Sequence, residues 1–240
     1  AWKDQPEKIK MVSSTVRKFI EAGDRISTQT VTLDETMMKD FYKKFVISYD
    51  EVNGGFGLAP KFPPTMKLRL LLRIAQRTGD KHAIKMMAST LKHMARGGIY
   101  DHLAGGFHRY STDDIWLVPH FEKMLYDQAM IALAYTEAYH ITGEDIFAQT
   151  ANEIFTYVLR DMTASEGGFF SAEDADSEGE EGKFYIWTEQ EITEILGEDY
   201  SKEFNDVFSI TASGNFRDEF SGKETGLNIP HLKNYTANGN

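Results

Sequence analysis

No cysteine occurs among the 240 residues. That excludes disulfides, thiolate chemistry and cysteine-based metal sites within the chain, and a cytoplasmic location is the expectation compatible with it. No apolar run reaches the ~18 residues that cross a bilayer. Lys/Arg clusters are missing as well. The net charge is −11, and it divides into +6 over residues 1–125 and −17 over residues 126–240. An acidic chain without a basic cluster excludes nucleic acid and anionic membrane as expected partners. There is no phosphate loop and no dinucleotide fingerprint. His102 and His108 stand six apart, which fits no standard metal-ligand spacing, so neither a metal nor a cofactor is expected. Position 1 is Ala rather than Met, and the expectation is a chain processed or cut from something longer.

What is present is a train of amphipathic helices. Helical spacing of apolar residues covers 5–22, followed by a Ser/Thr-rich linker over 23–31. A helix is expected from 32–34, with Met37, Phe41, Phe45 and Val46 on one side, ending before Asn53. Further helices are expected over 64–78, 81–96, 119–141, 146–162, 189–196 and about 200–208, the rest of the chain to Asn240 being an irregular tail. The connections alternate. Gly79-Asp80, Gly143-Glu144 and Gly197-Glu198 are short stop-and-restart turns. Long loops carrying Gly-Gly-Phe recur at 54, 105 and 167. In an antiparallel series alternate connections lie at opposite ends, so the long loops share one elaborated face. Phe169–Ala172 and Lys183–Trp187 are expected to pair as a hairpin, and Asp176–Glu181 to form a turn.

The densest polar stretch is Gly105–Gln128. With Pro119 read as the first residue of a helix, Lys123 would stand over Asp127, and Glu122 over Tyr126, at a helix N-terminus able to receive a hydroxylated or anionic ligand. His102, His108 and His120 sit in or at the exit of this loop and are candidate acid/base groups. The helical His82, His93 and His140 read as structural. Asp101, Asp113, Glu122, Asp127, Glu173, Asp174 and Asp176 are candidate carboxylates. Arg109 can bind a carboxylate or sugar hydroxyls, and Phe107, Tyr110, Trp116 and Trp187 can stack on a ring.

Gly54–Pro63, Gly97–Ser111, Trp116–Gln128 and Gly168–Trp187 resemble the family of spermatogenesis-associated thioredoxin-like proteins. The resemblance implies an all-α fold, an incomplete (α/α)6 toroid of helical hairpins with short β-hairpins in its loops. That toroid is similar to six-hairpin glycosidases and N-acylglucosamine 2-epimerases. Residues 1–31 would follow an absent thioredoxin-like domain, and 32–240 would form roughly half the barrel. The expected function is glycoside hydrolysis or epimerase-like acid/base chemistry on a saccharide. Its catalytic candidates are His102, His108, His120, Glu122 and Asp174. Its substrate-binding candidates are Asp101, Phe107, Arg109, Tyr110, Trp116, Lys123, Asp127, Glu173 and Asp176. The alternative is a non-catalytic binding or scaffold domain working with the thioredoxin-like domain. The expected intramolecular partners are that domain and the rest of the barrel, and uncovered apolar faces would favour a homodimer of the fragment.

Overall fold

Residues 65–78 carry Leu68, Leu71, Leu72 and Ala75 at the spacing that puts them on one side of a helix, and all four are buried in the computed structural model of the protein. The structure describes residues 5–23, 35–217 and 223–233. The linker expected over 23–31 and the helix start expected at 32–34 therefore lie almost wholly outside the described residues, as does the end of the tail. The chain divides into two units, 1–38 and 39–240. The first holds α1 (Pro6–Gly23) and the opening residues of α2 (Glu35–Ser48). The second continues α2 and adds α3 (Thr65–Thr78), α4 (Lys81–Arg96), α5 (Leu125–Thr142), α6 (Asp145–Asp161) and α7 (Glu189–Val207).

The short turns end and restart helices as their residue types require. Gly79 closes α3 in the left-handed region, donating to the Ala75 carbonyl at 2.8 Å. The Asp80 side chain then accepts from the His82 and Ala83 N–H groups to open α4. Gly143 repeats the closure after α5. Thr188 and Glu191 form a reciprocal capping box at the start of α7, and Gly197 breaks that helix internally. The main core lies among α3, α4, α5 and α6. Leu68, Leu72, Met87, Leu91, Ile131, Tyr135, Phe147 and Ile154 are fully buried there, and each such apolar side chain contributes about 1.5–3 kcal/mol. On α2 the packed residues are Tyr42 and Phe45, joined by Tyr49 just past its end. Phe41 and Val46, expected on the apolar side, are largely exposed.

The long loops do share a face, and they are stitched together. Lys61 in the first bridges to Ser111 in the second. Strand β1 (Tyr110–Ser111) pairs with β2 (Pro119–His120), and β3 (Lys123–Met124) in the second loop pairs with β4 (Ala172–Glu173) in the third. Two expectations are corrected here. Residues 119–124 are extended, not helical, and α5 starts at Leu125, whose N–H donates to the Ser171 carbonyl. Lys123 and Asp127 are therefore not stacked on a helix face. In the third loop the hairpin is β5 (Asp176–Ser177) with β6 (Glu180–Glu181). Trp187, expected to pair near Phe169, instead lies in β7 (Trp187–Thr188). The tail supplies its partner, β9 (Glu224–Asn228), which also takes β8 (Phe216–Arg217).

Two of the loops begin with one turn built twice. Tyr49-Asp-x-x-x-Gly-Gly-Phe56 and Tyr100-Asp-x-x-x-Gly-Gly-Phe107 each close with Tyr bridged to Phe. The Asp50 Oδ1 atom accepts from the Val52 and Asn53 N–H groups, and Asp101 Oδ1 from those of Leu103 and Ala104. Both glycines of each pair have φ between 69° and 81°, a region costly for any residue with a Cβ. The second glycine of each pair also lies against an aromatic ring. A Cβ on Gly55 would come within 2.7 Å of Trp116, and one on Gly106 within 2.5 Å of Tyr157. A buried lysine pins each turn. Lys61 Nζ reaches Asp50 Oδ2 at 2.6 Å and the Gly54 carbonyl at 3.0 Å, and Lys123 Nζ reaches Asp101 Oδ2 at 2.7 Å and the Gly105 carbonyl at 3.0 Å.

Candidate functional site

The segment 119–124 organises the loop face because alternate residues of an extended chain point to opposite sides. Phe121 and Lys123 are buried, at 3% exposure for Phe121 and 1% for the Lys123 side chain, while His120 and Glu122 remain partly open to solvent. The segment thus separates an outer cluster from an inner one.

The outer cluster gathers residues from all three loops and from the start of α5. His120 Nδ1 lies 2.6 Å from Glu181 Oε1, and its Nε2 lies 3.7 Å from Glu122 Oε2. A carboxylate oxygen accepts, so Nδ1 carries the hydrogen of that short bond. Tyr110 stacks on His120 at 5.1 Å and on Phe62 at 4.6 Å, giving a three-ring ladder. The Arg109 guanidinium sits over both Phe62 and Tyr126, at 5.3 and 4.9 Å from their centroids, and donates to Asp127 Oδ2 at 2.8 Å. Burial raises the Asp127 carboxyl above its ordinary range; the Arg109 bond opposes this and the Glu122 charge adds to it. Half of the Phe62 and Tyr126 surfaces is exposed. The cluster is therefore a wet patch combining a positioned imidazole, three carboxylates, a planar cation and open ring faces.

The inner cluster is dry. His108 is 2% exposed, its Nδ1 lies 2.9 Å from the Phe121 carbonyl, and it meets the Phe121 and Tyr185 rings edge-on. Burial, followed by the Lys123 charge, lowers its pKa to about 3, so it is neutral at physiological pH. His102 places Nε2 against the Arg96 and Gly97 carbonyls at the end of α4, and burial lowers its pKa too. Burial opposes ionisation of Asp101, yet the Lys123 ammonium and the Ala104 N–H outweigh it and hold the carboxyl below its usual range. Glu173 accepts from the Tyr157 and Tyr185 hydroxyls, each at 2.6 Å, and these bonds, after burial, push both phenols well above their ordinary range.

The sequence-expected residues thus fall into separate places. Arg109, Tyr110, His120, Glu122 and Asp127 come together in the outer cluster, and Asp101, His102, His108, Lys123 and Glu173 lie in or beside the inner one. Phe107 and Trp116, expected to stack on a sugar ring, are fully buried. The Trp116 indole donates to the Asn53 carbonyl at 2.9 Å, and Phe107 packs on Tyr100 and Tyr135. Neither offers a face to a ligand. Asp174 holds the Asp176 N–H in a local turn, and Asp176 pairs with Glu181 across the hairpin, so neither joins the expected cluster. Asp113 is spent on the N–H groups of Ile115, Leu117 and Val118. Sequence reasoning missed Phe62 and Glu181, and named Tyr126 only as the neighbour of Glu122 on a helix face. The alternation Pro119-His-Phe-Glu-Lys was the available signal for the extended segment. The duplicated Tyr-Asp-x-x-x-Gly-Gly-Phe was the signal that Asp101 and Lys123 belong to a repeated turn.

The helical hairpins and the elaborated loop face are those of an α/α toroid, the fold of sugar epimerases. Cellobiose 2-epimerase from Bacillus thermoamylovorans superposes with a TM-score of 0.50 at 14% identity, over 75% of this chain and 58% of that one. A sugar epimerase from a ruminal bacterium does so with a TM-score of 0.50 at 14% identity, over 73% and 56%. No protein-family model matches. By sequence the chain belongs to the family of spermatogenesis-associated protein 20. The mouse protein of that name is 44% identical over 194 residues, covering 76% of this chain, and the human one is 43% identical over the same length. An uncharacterised protein of Caenorhabditis elegans is 35% identical over 97% of this chain. The chain spans 24% of the length of the mouse and human relatives and 33% of the nematode one. Among the described residues no helix is long and apolar enough to cross a membrane.

Proposed function

We propose that the outer cluster processes carbohydrate by proton transfer at a sugar carbon, with His120 as the group that moves the proton. The observation that carries this reading is the placement of His120 between Glu181, which orients Nδ1 at 2.6 Å, and Glu122, which stands 3.7 Å from Nε2. A carboxylate that fixes Nδ1–H leaves Nε2 as the base. In this reading Asp127, engaged by Arg109 at 2.8 Å, is the second proton-transfer group of the patch. Arg109 holds sugar hydroxyls, and the open faces of Phe62 and Tyr126 stack on the ring. Epimerisation next to a carbonyl needs one base and one acid. Glycoside hydrolysis needs two carboxylates ~5–10 Å apart with the scissile bond between them. Here an imidazole occupies the space between Glu122 and Glu181, which favours the epimerase-like reading over the hydrolytic one. A cytoplasmic location belongs to the same reading.

The test is to incubate the full-length protein with a panel of reducing mono- and disaccharides in deuterated water and follow exchange at the carbon next to the anomeric centre. Exchange is expected, with a loss of ~100-fold or more in His120→Ala. If the wild-type protein neither binds, exchanges nor hydrolyses any sugar of the panel, the reading fails. A binding or scaffold role beside a thioredoxin-like domain draws on a different observation: Phe169, Phe170 and Phe184 on the third loop are 54%, 54% and 64% exposed. In that case His120→Ala leaves cellular function intact, and polar replacement of the three phenylalanines does not.

A further inference from the structure

Phe121 and Lys123, the buried side chains of the segment 119–124, back two neighbouring depressions of about 190 and 620 Å³. Asp101, Ala104, Phe184 and Tyr185 line both, so the two meet at these residues and form one groove. Phe184 is 64% exposed; Leu103, which lines the smaller depression, is 52% exposed, and Phe170, which lines the larger, is 54% exposed. Large apolar side chains thus stand in water around one groove, as they do at interaction surfaces. The proposed sugar chemistry uses none of them.

Charge selects what fits the groove. Residues 162–187, the third loop, carry seven acidic side chains and one basic one, Lys183. Lys183 is taken by Glu178 at 2.7 Å. The cations that line the groove are engaged as well. The Lys123 side chain is 1% exposed and bound to Asp101, and Arg160 is held by Asp161 and the Ala104 carbonyl. Glu173, in the wall of the larger depression, accepts from the Tyr157 and Tyr185 hydroxyls and has no cationic partner among the described residues. The surplus around the exposed rings is therefore negative. It repels an acidic partner and draws in a basic one before contact.

An inorganic cation would leave the rings uncovered, and an acyl chain would leave the carboxylates unanswered. We infer that this groove docks a basic segment of a partner protein. That segment sets an aromatic or aliphatic side chain against Phe170 and Phe184, and its lysines or arginines against the carboxylates of the third loop. The apolar contact supplies the hold, and the charges supply the choice of partner. This gives the binding reading of the third loop a partner chemistry, and it does not depend on sugar exchange at His120.

Capped heptapeptides serve as probes: one with lysines around a central phenylalanine, one with serine at the centre, and one with glutamates in place of the lysines. Calorimetric titration into the wild-type chain should give saturable binding of the first, weakening as salt is added. The other two should bind at least ~10-fold more weakly. Phe170→Ser combined with Phe184→Ser should bring the phenylalanine peptide down to the level of the serine one, with unfolding like that of the wild type. The inference is overturned if none of the peptides binds, or if the glutamate peptide binds as tightly as the lysine one. It is also overturned if the serine peptide does so, because charge alone would then be at work, or if the double variant binds the phenylalanine peptide like the wild type. A wild-type chain that self-associates in sedimentation while the double variant does not would overturn it too, since a second copy would then cover the rings. Should the double variant fail to fold, the phenylalanine-to-serine ratio of the wild type decides alone.

Discussion

At Asp50–Gly55 and at Asp101–Gly106 the backbone makes the same turn, yet the lysine that pins it meets different surroundings. Lys61 Nζ has three oxygens: Asp50, the Gly54 carbonyl and the Asp114 carbonyl at 2.7 Å. Lys123 Nζ has two, and the rings of Tyr157 and Tyr185 stand 4.5 and 5.0 Å away. The Asp50 side chain keeps 20% of its surface, whereas that of Asp101 keeps 7%. The first turn is a closed fastening at the edge of the loop face. The second uses the same fastening but sets its ammonium against two rings, where Lys61 has one, Trp116, at 5.7 Å. The third loop makes a shorter version, with Ala164 in the Asp position and Ala164 N–H donating to the Gly168 carbonyl at 2.7 Å. A shorter turn closed by the same backbone bond therefore forms without an ion pair. Where the pair is kept, it anchors a loop that carries other residues.

This comparison can be broken experimentally. The largest effect is expected from Lys123→Met, which leaves Asp101 buried without its counter-charge and should cost about 3–5 kcal/mol in urea unfolding. Lys61→Met should cost less, about 1–3 kcal/mol, because Asp50 can recover water. Equal losses would mean that the two turns differ only in appearance. Next comes Gly106→Ala, which adds a Cβ into the Tyr157 ring at a φ of 81°. The expected loss is about 2–3 kcal/mol, against about 1 kcal/mol for Gly57→Ala, where φ is 80° but the space is open. If the two alanines cost the same, the ring contact contributes nothing.

A subtler difference concerns acid. The folded-state pKa of Asp50 is lowered to about 2, because the bonds from Lys61, Asn53 and Val52 outweigh a burial that works the other way. Its contribution is present above the ordinary carboxylate pKa and lost as pH falls from about 4 toward 2. His108 acts at higher pH. Its folded pKa of about 3 lies below that of an exposed imidazole, so the folded state binds fewer protons and stability declines as pH falls from about 6.5 toward 3. Unfolding measured across this range should show two regions. Asp50→Asn should flatten only the more acid one, and His108→Phe only the one that begins near 6.5. The smallest effect on stability is expected from Glu181→Gln, within about 0.5 kcal/mol for a half-exposed pair. Sugar exchange should nonetheless fall by ~10-fold or more, because the imidazole loses its orienting carboxylate. Unchanged exchange in that variant would remove His120 from the proposed chemistry.

Helix positions and the sharing of one face by the long loops were legible because they rest on local rules. Gly79 and Gly143 stop helices by adopting the left-handed region, and Asp80 and Thr188 open them with side-chain caps. What was not legible rests on partners distant in sequence. Pro119 suits the first turn of a helix locally, but Met124 and Lys123 pair with Ala172 and Glu173, about fifty residues on, and hold the segment extended. Trp187 likewise takes its strand partner from Asn228. The candidate polar residues were recognised as a group but not sorted. The same residue type is wet at His120 and dry at His108, and only the fold decides which.

The extended segment from Pro119 to Met124 has a consequence for how this protein can change over generations. Its even-numbered side chains answer to whatever arrives from solvent, and its odd-numbered ones answer to the interior. On the proposed reading, a lineage can exchange His120 or Glu122 and retune ligand choice with little penalty to folding, while Phe121 and Lys123 stay locked by their neighbours. Two selective pressures are thus written in alternate letters along six residues. A library randomised only at the even positions should remain folded while its chemistry diverges.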